Sequence, residues 1–326
     1  MTALLDIRDL SVSFDTYQGR ARVLDRASLT VNQGEIMGLV GESGCGKSVL
    51  SRSVLRIIPT PPGSIDGGQI LFEGRDLLRL PQGEMRRLRG ERISMIFQEP
   101  MNSLNPVFTV GNQMREVVRA HRRAGRAEAT DACLEMLDAV RLPEPRSVLR
   151  AFPHELSGGM RQRVMIAMAL ICNPALLLAD EPTTALDVTV QGQILAILAE
   201  LAGRQGLSIL FVTHDMGVVA QLCHRVAVMY AGQVVEIADV GSIFARPAHP
   251  YTQGLIASIP GRVSSGELYA IPGSVPSPID PPPGCRFRPR CPHAKSGGCS
   301  DVAPEMVRVA PDHSVACHLF TSGGLP

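Results

Sequence analysis

Apolar residues fall along this chain in two rhythms. Ala21–Val31 and Glu35–Val40 are dominated by β-branched and aliphatic residues, with Asn32-Gln33-Gly34 as the turn between them, and predict two strands. Gly46–Ile58 has helical spacing and is stopped by Pro59 and the Pro61-Pro62-Gly63 breaker. Arg92–Phe97 predicts a further strand, and Thr109–Arg150 an arginine-rich helical region that breaks near Gly125. Ser157–Cys172 predicts a helix opened by a serine cap and ended at Asn173-Pro174. Ala175–Ala179, Leu207–Val212 and Arg225–Met229 are continuous apolar runs of the buried-strand kind, with a helix over Thr189–Arg204 between the first two. Strands alternating with helices favour parallel β-α-β units, and so an α/β fold.

The pattern changes after Phe244. Pro260–Pro292 holds many of the 25 prolines, and the last part of the chain carries four of the eight cysteines. Such a segment supplies little apolar core and needs another means of being held. A boundary is predicted near residue 250, giving segments 1–250 and 251–326. The 326 residues carry 32 basic against 31 acidic side chains, a net charge of +1, which excludes a general electrostatic affinity for nucleic acid. The longest uncharged run, Val164–Ala179, is 16 residues long and is interrupted by Asn173-Pro174, whereas a membrane span needs about 18 or more apolar residues. Asp6, Arg8 and Asp9 stand where an export signal would be apolar, so a soluble cytoplasmic protein is expected.

Lysine occurs only at Lys47 and Lys295, and Lys47 lies in a glycine-rich loop. Gly41-Glu42-Ser43-Gly44-Cys45-Gly46-Lys47-Ser48 has the form G-x-x-x-x-G-K-[ST], follows a predicted strand and opens a predicted helix in which Val49 comes next. Glycines let successive backbone N–H groups turn inward to make an anion-binding concavity, to which the helix amino end adds partial positive charge. Lys47 is placed to neutralise the β- and γ-phosphates, and Ser48 to put its hydroxyl on Mg²⁺. Cys45 occupies one of the variable positions and reads as a tolerated small side chain.

Ala175–Ala179 runs into Asp180-Glu181, so a buried strand delivers one carboxylate to a metal ion and the next to a water. Leu156-Ser157-Gly158-Gly159-Met160-Arg161-Gln162 opens a helix 23 residues before Asp180. The order of phosphate loop, Gln98, LSGG, apolar-Asp-Glu, Ala185-Leu186-Asp187 and His214 resembles the nucleotide-binding domain of an ABC-type ATPase, over about Leu4 to Phe244. That resemblance implies a RecA-like parallel sheet core with an antiparallel β subdomain and a helical subdomain over about 101–172. It implies ATP and Mg²⁺ as ligands, with Ser48, Gln98 and Asp180 on the metal. Glu181 would be the general base, and His214 would hold the γ-phosphate and orient the water. Ser157, Gly158 and Gly159 would bind ATP held by a partner subunit's phosphate loop, and Asp187 would link the two sites across the dimer. An aromatic should stack on adenine, with Phe14 the best-aligned candidate and Tyr17 its rival. Met160 and Thr184 depart from the residues usual in that family, Gln and Ser, without removing a backbone contact or a hydroxyl.

Further phrases are similar to the ATPase subunits of oligopeptide/dipeptide-type importers: Gln98-Glu-Pro-Met-Asn-Ser-Leu-Asn105-Pro, His249-Pro250-Tyr251-Thr252, Ile271-Pro-Gly273-Ser-Val-Pro276 and Gly284-Cys285-Arg-Phe-Arg-Pro289-Arg290-Cys291-Pro292. That family also contains nickel and glycoside importers. It implies a peripheral subunit on the cytoplasmic face of the inner membrane, driving two transmembrane permease subunits. A second ABC ATPase subunit, more often a different chain than an identical one, and an extracytoplasmic substrate-binding protein complete the system. The rivals are a soluble ABC-type ATPase of DNA repair or translation and a module that senses ATP without turnover. Neither the second cassette nor the coiled-coil insertion of the first rival is visible, and Glu181 and His214 oppose the second.

Cys285-x5-Cys291-x7-Cys299-x17-Cys317 can be read as disulfides, a zinc site, an iron–sulfur ligand set or unligated thiols. A reducing cytoplasm disfavours the first, and the absence of close C-x-x-C pairs the second. Members of the resembled family carry a [4Fe–4S] cluster in this tail, which selects the third, with a structural role. His293, His313 and His318 lie nearby and read as surface residues. Cys133, Cys172 and Cys223 read as small buried hydrophobes.

Overall fold

The computed structural model describes residues 2–98, 104–122, 124–184, 187–259, 269–294 and 298–321. Glu99–Ser103, Ala185-Leu186 and Lys295, singled out in the sequence, lie outside the described residues, as does part of the proline-rich stretch. The chain divides into two compact units: residues 1–78 with 212–326, and residues 79–211.

The first unit contains two sheets. In one, strands β1 (Ala3–Thr16), β2 (Gly19–Asn32), β4 (Gly63–Phe72) and β5 (Arg75–Asp76) run in the order β2-β1-β4-β5 and pair antiparallel. The antiparallel subdomain implied by the family resemblance is therefore present. β1 and β4 went unpredicted because their apolar positions are interrupted by charges and by Gly67-Gly68, where register shifts break the alternation.

The other sheet of this unit contains β3 (Ile36–Val40), β9 (Arg225–Tyr230), β10 (Gln233–Asp239), β11 (Met306–Ala310) and β12 (His313–Ala316), in the order β11-β12-β10-β9-β3. β3 pairs parallel with β9, whereas β9, β10, β12 and β11 pair antiparallel. β3 is buried at every position, which is why it reads as an unbroken apolar run. The tail thus does contribute a hairpin, contrary to its proline-rich appearance. β12 reaches β10 because Glu236, fully buried, accepts N–H bonds from Ala248 (2.7 Å) and His249 (2.8 Å) and pairs with His313 Nε2 at 2.6 Å. His313 is accordingly buried, not a surface residue.

A single apolar cluster gathers Val40, Val226, Val228, Tyr230, Tyr251, Ile256 and Phe287. Tyr230 packs edge-on to Phe287 with ring centroids 5.1 Å apart, and lies 4.6 Å from Tyr251. Side chains of the cysteine-bearing segment therefore belong to the core of the first unit.

In the second unit β6 (Ile93–Ile96) and β7 (Leu176–Asp180) pair parallel, and β8 (Ser208–Thr213) adjoins β7. The arginine-rich region forms helices Val110–His121, Arg126–Ala139 and Pro145–Val148, with the break at Gly125 as predicted. Thr109 caps the first by accepting from Asn112 N–H. Among the described residues no helix is long and apolar enough to cross a membrane.

Candidate functional site

The phosphate loop leaves β3 and enters helix Lys47–Val54, which ends four residues earlier than predicted because Arg56 turns into the left-handed region at φ 52°. Gly41 and Gly46 are required sterically. A Cβ at Gly41 would meet the Met229 carbonyl oxygen at 2.1 Å, and Gly46, at φ +107°, lies against Leu24 and the Val23 carbonyl. Ser43 and Gly44 are exposed, while Cys45 is buried and its carbonyl accepts from Gly232 N–H at 2.9 Å. Burial raises the Cys45 thiol pKa, opposed by the charge of Lys47, so the thiol stays protonated and is no thiolate nucleophile. Lys47 is 5% exposed, and its ammonium donates to the Gly41 (2.7 Å) and Glu42 (3.0 Å) carbonyls. Ser48 and Val49 follow on the first helical turn, half-buried.

Of the two aromatics considered for adenine, Tyr17 lies in the β1–β2 turn with its ring fully in solvent. Phe14 is half-buried, and its ring lies where a Cβ on Gly63 would meet it at 2.9 Å. His214 is exposed at the end of β8. It precedes the Asp215 cap of helix Met216–Leu222.

The second unit carries the acidic centre. Asp180 ends β7 fully buried, and Glu181 follows with φ +48°. A non-glycine residue in the left-handed region costs of order 1–2 kcal/mol and is held there only by surrounding structure. That structure is visible: Gln98 Nε2 (3.2 Å) and the Thr184 hydroxyl (2.9 Å) both donate to Glu181 Oε2. The hydroxyl that Thr184 shares with the usual serine is the group that makes this contact. Ser157 caps helix Gly158–Leu170, accepting from Met160 N–H at 3.3 Å. A Cβ on Gly159 would stand 3.0 Å from Val190. Asp187 caps helix Val188–Gln205 through Val190 N–H at 2.9 Å and is exposed.

Sequence reasoning missed several partners of these groups. Gln162, fully buried, donates through Nε2 to the Pro182 carbonyl, tying the LSGG helix to the segment after Glu181. It stands seven positions into the quoted LSGG phrase, so its signal was present but had no assigned task.

The His249-Pro250-Tyr251-Thr252 phrase also acquires a role. His249 Nδ1 accepts from Tyr251 N–H (3.0 Å) as cap of helix Pro250–Ala257, and Tyr251 Oη accepts from Glu42 N–H (2.9 Å). Burial pushes the His249 pKa from 6.5 down to about 3. The folded state therefore resists a proton that the unfolded chain takes up. Stability is undiminished above pH 6.5 and falls as pH drops below it, by up to about 1.4 kcal/mol per unit. Urea midpoints of the native chain should be lower at pH 5 than at pH 7, and His249→Asn, which keeps a cap acceptor, should flatten that slope. Equal slopes in the two proteins would contradict this account.

All eight cysteines are free thiols. Cys285, Cys291, Cys299 and Cys317 line one cavity of about 300 Å³, with His293 and His318 also on its wall. Burial raises the thiol pKa of Cys285 and Cys291, and that of Cys317 to about 11. Among the described residues, no group of three or more His, Cys, Asp or Glu is gathered tightly enough to hold a metal ion. Cys133 and Cys172 are buried, and Cys223 is half-buried with its pKa pushed up to about 12.

Residues 24–184 match the ABC transporter family, and residues 235–299 match the C-terminal region of oligopeptide/dipeptide transporters. The chain is 49% identical to the oligopeptide transport ATP-binding protein OppD of Bacillus subtilis strain 168, over 98% of this chain and 90% of that one. It is 47% identical to the dipeptide transport ATP-binding protein DppD of the same organism, over 98% of this chain and 95% of the other. Among solved structures it resembles the ATP-binding cassette MJ0796 in a dimeric post-hydrolysis state bound to ADP and Pi, with a TM-score of 0.65 and 26% identity over 72% of this chain and 98% of that one.

Proposed function

The chain belongs to the ABC transporter family as an ATP-hydrolysing subunit of the oligopeptide/dipeptide importer type, and on that premise we propose that its cargo is a di- or oligopeptide. The observation that carries the cargo reading is the extent of the similarity. It runs through the C-terminal segment as well as the cassette, in relatives named for peptide transport.

The division of labour follows from the groups present. Lys47, Ser48 and the backbone of Gly41–Gly46, with Val49 beyond, receive the phosphates of ATP, and Phe14 or Tyr17 stacks on adenine. Ser48, Gln98 and Asp180 offer the hard oxygen donors that suit Mg²⁺, which when bound neutralises charge on the phosphates. Glu181, oriented by Gln98 and Thr184, takes the proton of the attacking water, and His214 holds the γ-phosphate. Ser157, Gly158 and Gly159 cap the ATP of a second ABC ATPase subunit, and Asp187 links the paired sites. Segment 1–250 supplies this machinery and 251–326 the extension.

The four tail thiols suit a [4Fe–4S] cluster. What supports this reading is that all four line one cavity, and that such a cluster takes four thiolates at irregular spacing. The cluster's role is structural, adding to the hold that the Phe287 packing and the β12 pairing already give this segment.

In the cell the chain works from the cytoplasmic face of the membrane, attached to two permease subunits and paired with a different ATPase chain, and receives cargo from an extracytoplasmic binding protein. Purification of the tagged chain from detergent-solubilised membranes tests the whole reading. Two permeases and a second ATPase should appear by mass spectrometry, with iron and acid-labile sulfide in the same sample. Peptide should be recovered from the co-purified binding protein. Nickel or a glycoside there would replace the cargo, and ribosomal or repair proteins without permeases would overturn the importer.

A further inference from the structure

Glu42 is the second residue of the phosphate loop, and it is gripped from outside the loop at both backbone and side chain. Its N–H donates to Tyr251 Oη at 2.9 Å, across 209 positions of sequence. Its carboxylate accepts two bonds from Arg290, Nη1 to Oε2 at 2.6 Å and Nη2 to Oε1 at 3.0 Å, across 248 positions. This is the forked geometry in which guanidinium and carboxylate match best.

Arg290 is itself fixed. Its side chain is 4% exposed, its Nε donates to the Pro272 carbonyl at 2.8 Å, and Nη2 also reaches the Ile271 carbonyl at 3.1 Å. Tyr251 is fully buried among Tyr230 and Phe287. The grip is therefore stiff at the end away from the loop.

Two consequences bear on nucleotide binding. The Glu42 carbonyl is one of the two that hold the Lys47 ammonium, so a shift of Glu42 shifts the lysine. A carboxylate in a loop that receives a polyanion also repels it, and Arg290 cancels that charge at contact distance.

We propose that Arg290 and Tyr251 are positioning residues of the nucleotide site, holding the phosphate loop at Glu42 so that ATP affinity depends on the C-terminal segment. The proposal rests on the loop being the ATP site. It gives Arg290, which stands between Cys285 and Cys291, and Tyr251 of the His-Pro-Tyr phrase a common task. Neither acts on the reacting atoms, so both should change affinity and leave the chemical step alone.

The experiment uses the full-length chain in its purified transporter, reading ATPase kinetics and binding of trinitrophenyl-ATP. Arg290→Ala should raise KM and the probe Kd about tenfold with kcat within about twofold of native. Adding Glu42→Gln to that variant should restore most of the affinity, because the uncompensated charge is gone. A purely structural role for Arg290 would allow no such rescue. Tyr251→Phe keeps the ring packing and removes only the hydroxyl, and should raise KM about threefold. Native KM in both Arg290→Ala and Tyr251→Phe overturns the proposal, as does a fall in kcat equal to the rise in KM. Should Arg290→Ala not fold, Tyr251→Phe decides alone. A native transporter that bound no trinitrophenyl-ATP would instead refute the ATP site itself.

Discussion

Glu181→Gln will bind ATP as the native chain does and hydrolyse it roughly 10²–10⁴-fold more slowly, the range that a positioned general base contributes. The substitution is nearly isosteric, and an amide oxygen can still accept from Gln98 Nε2 and the Thr184 hydroxyl. The strained backbone at φ +48° is the same for either residue, so the local fold should survive. What disappears is the ability to take a proton from water. Single-turnover hydrolysis, with nucleotide binding measured on the same preparation, separates the two effects. Normal hydrolysis would remove Glu181 from the role of base.

Lys47→Ala acts one step earlier. Lys47 is 5% exposed, inside a loop whose other donors are backbone N–H groups and the hydroxyls of Ser43 and Ser48. Removing it deletes the loop's one side-chain cation and its bonds to the Gly41 and Glu42 carbonyls. Charge-assisted bonds of this kind contribute about 1.5–3 kcal/mol each, so ATP affinity should fall about 100-fold. Titration with trinitrophenyl-ATP measures it, and a melting temperature near native shows that the loss is not one of folding. An unchanged Kd would mean that Lys47 does not meet the phosphates. The two variants thus distinguish binding from turnover.

Much of the acidic centre was legible because its parts are local. Asp180 and Glu181 are consecutive, Thr184 follows within one turn, and an unbroken apolar strand announces where they emerge. The strain at Glu181 was not legible, since nothing in an Asp-Glu-Pro-Thr string requires a positive φ. Gln162 was visible but without a purpose, because its partner is a backbone carbonyl, which has no sequence signature. The tail was underestimated for a similar reason. β11 and β12 are strands of five and four residues beside prolines and cysteines, too short for alternation to register.

The motifs that point to ATP chemistry are each contiguous in the chain. A phosphate loop is built from consecutive residues whose backbone N–H groups must converge, and only glycines at set positions allow that. LSGG at a helix start and Asp-Glu at a strand end are likewise contiguous, and so can be read without knowing what they face. What holds those motifs in place is visible in the folded chain alone. Glu42 meets Tyr251 and Arg290 from 209 and 248 positions away, Glu236 meets His313 from 77, and the four tail thiols reach one cavity from irregular spacings. Such contacts depend on how strands pair and where an aromatic cluster closes. Those follow from burying apolar surface over a whole unit, which no local pattern specifies.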